Sequence, residues 1–385
     1  MKKSTAILMA LLFLLSGSGC TAGAPPEKET PRTSARAELC LSSAAGTKHA
    51  AVHTLEHRKK LTKDFSSLDF PELAKKYHLV SVPTYDGSGQ ATHPKILYFP
   101  DGWNGWKYWM SFTPYPGGAA AYENPSVVVS NDLIHWKEPG KAENPISGIP
   151  ADSVYGGHYS DSHIVMHGRL MELWYRYNRG NRKTVRPDYS MDFYYRRTSS
   201  DGIHWSSPEL MHRSPDGILS LVVNYSGSEY EFWYTNYRHQ LLHAVSKDGS
   251  NWSVPDICVL SLPKNYAPWH QDIIQYNRQY YLLQTGINLS DYSFSLFLSH
   301  SSDGVHFSNG IPFYPSDDPL ILSHRAWLYR STLTAGKNGF DLMISMRFPD
   351  GRWYLMKSEL FASAFYQNWK SAILLRPGGS QSLFL

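Results

Sequence analysis

The stretch His93–Trp136 reads HPKILYFPDGWNGWKYWMSFTPYP, then a Gly-Gly-Ala-Ala-Ala spacer, then YENPSVVVSNDLIHW. Lys95–Phe99, Trp106–Thr113 and Ser126–Ser130 are rich in aromatic and β-branched residues and read as strands. Pro100-Asp101-Gly102 and Pro116-Gly117-Gly118 punctuate them with residues whose backbone angles suit turns. The unit closes on Ser130-Asn131-Asp132-Leu133-Ile134-His135-Trp136, and that closing pattern returns at Ser199–Trp205, Ser246–Trp252 and Ser301–Phe307. Strands with an Asp-Gly hairpin and an aromatic anchor, recurring roughly every 50 residues, predict the blades of a propeller.

Five units follow from the repeat, opening near His93, Asp161, Asp216, Asp272 and Trp327. The expected fold is therefore all-β: a five-bladed β-propeller over 78–385, with Leu79–Tyr85 adding a strand to the last blade to close the ring. The four repeated Asp residues, Asp132, Asp201, Asp248 and Asp303, are expected to bond turn amides while the aromatic pins each turn to its blade. Trp205 is expected to be a buried anchor and His204 beside it to face solvent, because side chains alternate along a strand.

Upstream, Lys2 and Lys3 precede an apolar run over Ala6–Leu15 and then Ser16-Gly17-Ser18-Gly19-Cys20. A basic end, a short apolar core and small residues predict a signal peptide over 1–20, too short to span a bilayer. Cys20 after small residues resembles a lipobox, with Gly17 standing where Leu is usual, and marks Cys20 for lipidation. The expected location is outside the cytoplasm, lipid-anchored at the outer face of a bacterial membrane or secreted. Residues 21–77 read as a tether and N-terminal arm, rich at first in Pro, Ala, Thr and charge, with helices expected around Ala45–Lys60 and Pro71–Lys76.

The 385 residues carry a formal net charge of +4, of which Lys2 and Lys3 supply two. So small and evenly spread a charge excludes nucleic acid as the expected partner. Membrane contact is expected only through the lipid anchor, and the protein is expected to be a monomer. Besides Cys20 only Cys40 and Cys258 occur, and no metal-ligand spacing is visible. No cofactor is expected, although a propeller channel has room for a structural Ca2+.

The first strand of each blade lines the axis, so the residues that open the units should converge at one mouth. They are His93, Asp161 with His163, Asp216, His270 with Asp272, and Arg330, with Trp269, Trp327 and Tyr329 among them. Carboxylates, imidazoles and aromatic plates around one cavity suit a sugar ring, which stacks an apolar face on indole and directs its hydroxyls to polar groups. Asp161, Asp272 and Glu123 are the candidate catalytic carboxyls. His93, His163, Asp216, Trp269, His270, Tyr329 and Arg330 are the candidate substrate-binding residues. Glu123 enters because Pro125 at the next strand's start leaves it at a rim.

Thr92-His93-Pro94, Ser160-Asp161-Ser162-His163 and Trp269-His270-Gln271-Asp272 carry a resemblance to the five-bladed propeller glycoside hydrolases, most of all family 43, extending over Leu79–Ala364. The resemblance implies carboxylate acid/base hydrolysis of a glycosidic bond in an oligo- or polysaccharide. In that family an Asp before Pro in the first blade is the base, an Asp opening the second blade orients the acid, and a third-blade Glu is the acid. Asp161 matches the second of these. His93-Pro94 replaces the first, and Asp216-Gly217 is a loose counterpart of the third. Those departures keep a second expectation open: a carbohydrate-binding propeller lipoprotein that does not cleave. The four Ser-x-Asp turns also resemble the Asp boxes of sialidases, one residue short.

Overall fold

The computed structural model describes residues 72, 76–153, 156–179, 192–214, 216–313, 316, 318–336 and 339–358. The signal peptide, Cys20, Cys40, the helix expected at Ala45–Lys60 and nearly all of the 21–77 arm lie outside the described residues, as do 359–385. Among the described residues no helix is long and apolar enough to cross a membrane.

The strands in chain order are β1 (His78–Val80), β2 (Ala91–Trp103), β3 (Trp106–Pro114), β4 (Ser126–Ser130), β5 (His158–His167), β6 (Leu170–Asn178), β7 (Asp192–Ser199) and β8 (Glu209–Ser214). They continue as β9 (Leu219–Tyr225), β10 (Tyr230–Thr235), β11 (Leu241–Ser246), β12 (Asp256–Ile257), β13 (Tyr266–Tyr276), β14 (Gln279–Asn288), β15 (Phe294–Ser301) and β16 (Ile311–Pro312). A short helix, α1 (Pro319–His324), precedes β17 (Trp327–Leu328), β18 (Thr332–Gly336), β19 (Gly339–Arg347) and β20 (Trp353–Ser358). They form five antiparallel sheets: β2–β4, β5–β8, β9–β12, β13–β16, and β17–β20 with β1 added. The five-bladed propeller is as expected. The ring closes where His78, Leu79 and Val80 pair with Lys357, Met356 and Leu355 of β20. Tyr77 beside that strand donates to Asp318, the residue that caps α1.

The cores lie between blades, and strand periodicity explains why. In β4 the run Val127-Val128-Val129 is wholly buried. Val127 and Val129 pack with Trp109, Ile164 and Leu173 toward the second blade, whereas Val128 packs with Met110, Met343 and Leu355 toward the fifth. Alternate side chains of one strand thus feed two different cores, which requires an apolar run in place of an alternating one. Such cores occupy each of the five blade junctions.

The repeated turns have one geometry. In each, a Ser hydroxyl accepts from the amide three residues on, and an Asp Oδ1 accepts from the two amides that follow, as in Ser199 to Gly202 (2.7 Å) and Asp201 to Ile203 and His204 (2.8 Å each). Asp132, Asp248 and Asp303 repeat it. These turns also lock the ring. Gly202 sits over the Trp109 ring and Gly304 over Trp233, whose Nε1 donates to the Gly304 carbonyl at 2.8 Å. Trp109 and Trp233 belong to the preceding blade in each case, so a turn of one blade seats on the indole of its neighbour. Trp205 itself is half-buried, not buried as expected, while His204 is exposed.

Candidate active site

The innermost strands are β2, β5, β9, β13 and β18. In β2, β5 and β9 a non-glycine residue takes left-handed backbone angles within a break of register: His93 (φ 55°), Asp161 (φ 53°) and Ser220 (φ 55°). Such residues are uncommon outside turns, and bulges of this kind re-aim a side chain. Here two of them turn His93 and Asp161 toward one point near the axis. β13 breaks register between Pro268 and His270, and Arg330 stands in the gap between β17 and β18.

The result is a buried cluster. His93 Nε2 lies 3.6 Å from Asp161 Oδ1, and His270 Nδ1 lies 3.4 Å from the same oxygen. Arg330 Nη1 approaches Asp161 Oδ1 to 3.6 Å, and Arg176 Nη1 reaches Asp161 Oδ2 at 4.0 Å. Glu123 Oε2 lies 3.4 Å from the other ring nitrogen of His93, Nδ1. Glu123 comes from the connection between β3 and β4, where its amide donates to Ala120 O, and Asn124 Nδ2 donates to Tyr85 Oη at 2.6 Å. Glu123 is 5% exposed, so the rim position expected for it is in fact a buried one.

The environments push the two carboxyls apart. Burial opposes ionisation of Asp161, but the surrounding positive charges, the two imidazoles when protonated and the guanidiniums of Arg330 and Arg176, outweigh it and hold its carboxyl well below the usual range. Burial raises Glu123 well above its usual value, and the neighbouring Asp161 charge raises it further, against Arg176. Burial lowers His93 to about 4 and drives His270 well below its ordinary value, so both imidazoles are neutral at neutral pH.

Four potential ligand atoms at this point, His93 Nε2, Asp161 Oδ1 and both ring nitrogens of His270, have no hydrogen-bond partner, and neither do Nε and Nη1 of Arg330 beside them. One ligand atom from each of His93, Asp161 and His270 falls within 4.8 Å of the others. Two imidazoles and a carboxylate are donors that suit a divalent first-row metal, and unpartnered buried donors are otherwise costly. The set fits a cation. No spacing in the sequence announces it, because each ligand comes from a different blade.

An aromatic wall flanks the cluster. Tyr329 lies 4.4 Å from the His270 ring and 5.5 Å from His93, and accepts from Trp269 Nε1 at 3.3 Å. Trp269, half-buried, meets His270 edge-on and is backed by Phe294. His93, Asp161, His270, Arg330, Glu123, Tyr329 and Trp269 therefore come together.

Three expected site residues do not. Asp272 lies two residues further along β13, where Oδ1 takes Lys95 Nζ at 2.7 Å and Oδ2 takes Thr332 Oγ1 at 2.7 Å and Leu333 N at 3.1 Å. One oxygen is held by the first blade across the channel and the other by the neighbouring fifth blade, so it braces the channel instead of facing the cluster. His163 is likewise internal, its Nε2 at 2.9 Å from Val223 O. Asp216 is exposed ahead of β9, and Ser220 holds the third-blade position instead, its Oγ accepting from Gln271 N at 3.1 Å. Arg176, held by Asp192 at 2.9 Å, was not foreseen, since its place on β6 has no counterpart among the unit openings.

Comparison with known proteins follows this geometry. No protein-family model matches the sequence. The chain is 33% identical over 230 residues to an A type blood N-acetyl-α-D-galactosamine deacetylase of Flavonifractor plautii, an alignment covering 48% of this chain and 29% of that protein. The chain thus spans less than a third of the relative's length. A crystal structure of an N-acetylgalactosamine deacetylase from F. plautii, in complex with blood group B trisaccharide, superposes with a TM-score of 0.58 at 21% identity, covering 70% of this chain and 84% of that one. The family 43 glycoside hydrolase BlXynB of Bacillus licheniformis superposes at 0.51 with 16% identity, covering 70% and 53%. A Bacteroides ovatus family 43 protein gives 0.51 at 15%, covering 70% and 52%. The chain has the family 43 propeller fold. On that shared scaffold the first-blade Asp expected of a family 43 base is His93, and the mouth of the ring carries a His-Asp-His set.

Proposed function

We propose that this protein is a metal-dependent hydrolase that removes the acetyl group from an N-acetylated amino sugar. The observation that carries the reading is the convergence of His93, Asp161 and His270 with their donor atoms unpartnered. The deacetylase activity of the F. plautii relative supports the substrate class.

A divalent cation held by His93, Asp161 and His270 supplies Lewis acidity toward an amide carbonyl and lowers the pKa of water. Glu123 takes a proton from the water whose oxygen bonds to the acetyl carbon. It then delivers that proton to the sugar nitrogen as the C–N bond breaks, giving acetate and a free amine. Its burial beside His93 gives it the raised proton affinity such a shuttle needs. Asp161 stays ionised. Trp269 and Tyr329 offer the sugar an apolar plane beside the cluster and help exclude water.

A second reading rests on the opposed shifts of Glu123 and Asp161, since one protonated and one ionised carboxyl also serve glycoside hydrolysis. One assay separates the two. Metal-reconstituted protein is incubated with N-acetylgalactosaminides and N-acetylglucosaminides, and separately with arabinosides and xylosides. Acetate and free amine that vanish with a chelator and return with metal support deacetylation. Chelator-insensitive release of the aglycone supports the glycosidase.

Action outside the cytoplasm belongs to the same reading, supported by Lys2, Lys3, the apolar run and Cys20. A Cys20→Ser variant should be released from membranes or remain unprocessed. Unchanged membrane association and gel mobility would argue against the anchor.

A further inference from the structure

A neutral imidazole carries one proton, and the two nitrogens of His93 meet different neighbours. Nδ1 lies 3.0 Å from Thr113 Oγ1, within hydrogen-bond distance, and 3.4 Å from Glu123 Oε2. Nε2 has no hydrogen-bond partner, and the Asp161 oxygen facing it is 3.6 Å away, beyond hydrogen-bond reach. Thr113 pairs with Thr92 across β2 and β3, directly beside the bulge that carries His93, and it is wholly buried.

We propose that Thr113 is a positioning residue: by accepting a hydrogen bond from Nδ1–H it fixes the tautomer of His93 that leaves Nε2 a bare lone pair toward Asp161 and His270. The proposal rests on the metal-site reading above. Without the Thr113 hydroxyl, Nδ1–H keeps only Glu123 Oε2 at 3.4 Å, a carboxyl whose raised proton affinity makes it a poor acceptor, and the ionised Asp161 carboxylate facing Nε2 draws the proton there. The lone pair would be lost from the cluster. Partners behind a ligating imidazole generally change metal affinity about 10–100-fold when removed.

The test compares wild type with Thr113→Val, which keeps the shape, and Thr113→Ser, which keeps the hydroxyl. Metal-free protein carrying 15N-labelled histidine reports the tautomer, with the His93 signals assigned by their loss in His93→Gln. Zn2+ affinity is then read by competition with a chromophoric chelator, and thermal melting checks folding. The expected result is a protonated Nδ1 in wild type and Thr113→Ser, and a shift toward protonated Nε2 in Thr113→Val. Zn2+ binding should weaken about 10–100-fold in Thr113→Val alone. Identical His93 signals in wild type and Thr113→Val would overturn the role of Thr113. A wild type that takes up no Zn2+ overturns the metal-site reading instead, whatever its tautomer.

Discussion

Lys95 Nζ and Asp272 Oδ1 lie 2.7 Å apart in the channel, joining the first and fourth blades through a pair of side chains almost wholly sealed from water. With Thr332 and Leu333 on its other oxygen, Asp272 has protein partners on both oxygens. Removing one member of a buried pair strands the other charge. Lys95→Met should cost about 3–5 kcal/mol in chemical denaturation, with much of the loss recovered when Asp272→Leu is added. Turnover per folded molecule should survive in the double variant. A folded double variant without turnover would put Asp272 back in the chemistry.

The turns offer a second test. A Cβ on Gly202 would fall 2.1 Å from the Trp109 ring, on a residue with φ +74°, whereas Gly227, at φ +90°, has nothing within 4 Å. Gly227→Ala should cost about 1–2 kcal/mol, the left-handed backbone penalty alone. Gly202→Ala should cost that plus about 1–3 kcal/mol of overpacking. Equal losses in the two melts would mean that the turn does not seat on its neighbour's indole.

The blade count was legible because the Ser-x-Asp turns are local: a hydroxyl and a carboxylate bond amides within three residues, and such chemistry must be written in adjacent letters. The site was legible only by unit. His270 and Asp272 share one face of a strand, as alternation requires, but two residues are about 7 Å of rise. That distance separates the cluster at the mouth from the brace beneath it. Ser220 escaped notice because a left-handed bulge in β9, set by tertiary packing, decides which residue turns inward. Glu123 was found from Pro125, yet its burial depends on Tyr85 and Asn124, which no pattern joins.

Buried His93 should mark the acid side of the stability curve. Its folded value of about 4 lies below the ordinary 6.5, so it binds its proton more weakly folded than unfolded. The metal-free protein is unaffected by this group above about pH 6.5 and loses stability as pH falls from there toward 4. The loss approaches about 3 kcal/mol, at 1.36 kcal/mol per pH unit. His270 shifts in the same direction, and Glu123 in the opposite one. The readout is therefore a difference: urea unfolding between pH 7 and 4.5 should fall more steeply for wild type than for His93→Gln. Parallel curves would contradict a neutral buried imidazole.

Glu123 is the residue on which the proposed chemistry turns. As the proton shuttle, it must be ionised when water attacks, yet burial and the Asp161 charge raise its pKa. The base form is then lost as pH falls through that raised value, so the acid limb of kcat/KM should lie above the ordinary carboxylate range. Glu123→Gln removes the shuttle but leaves His93, Asp161 and His270 in place. Deacetylation should drop by about 10²–10⁴-fold, the usual contribution of a positioned acid or base. Zn2+ stoichiometry should stay at the wild-type level, and the residual rate should lose its acid limb. Should that limb persist in Glu123→Gln, the titrating group is another residue, and the shuttle must be sought among the remaining groups around Asp161.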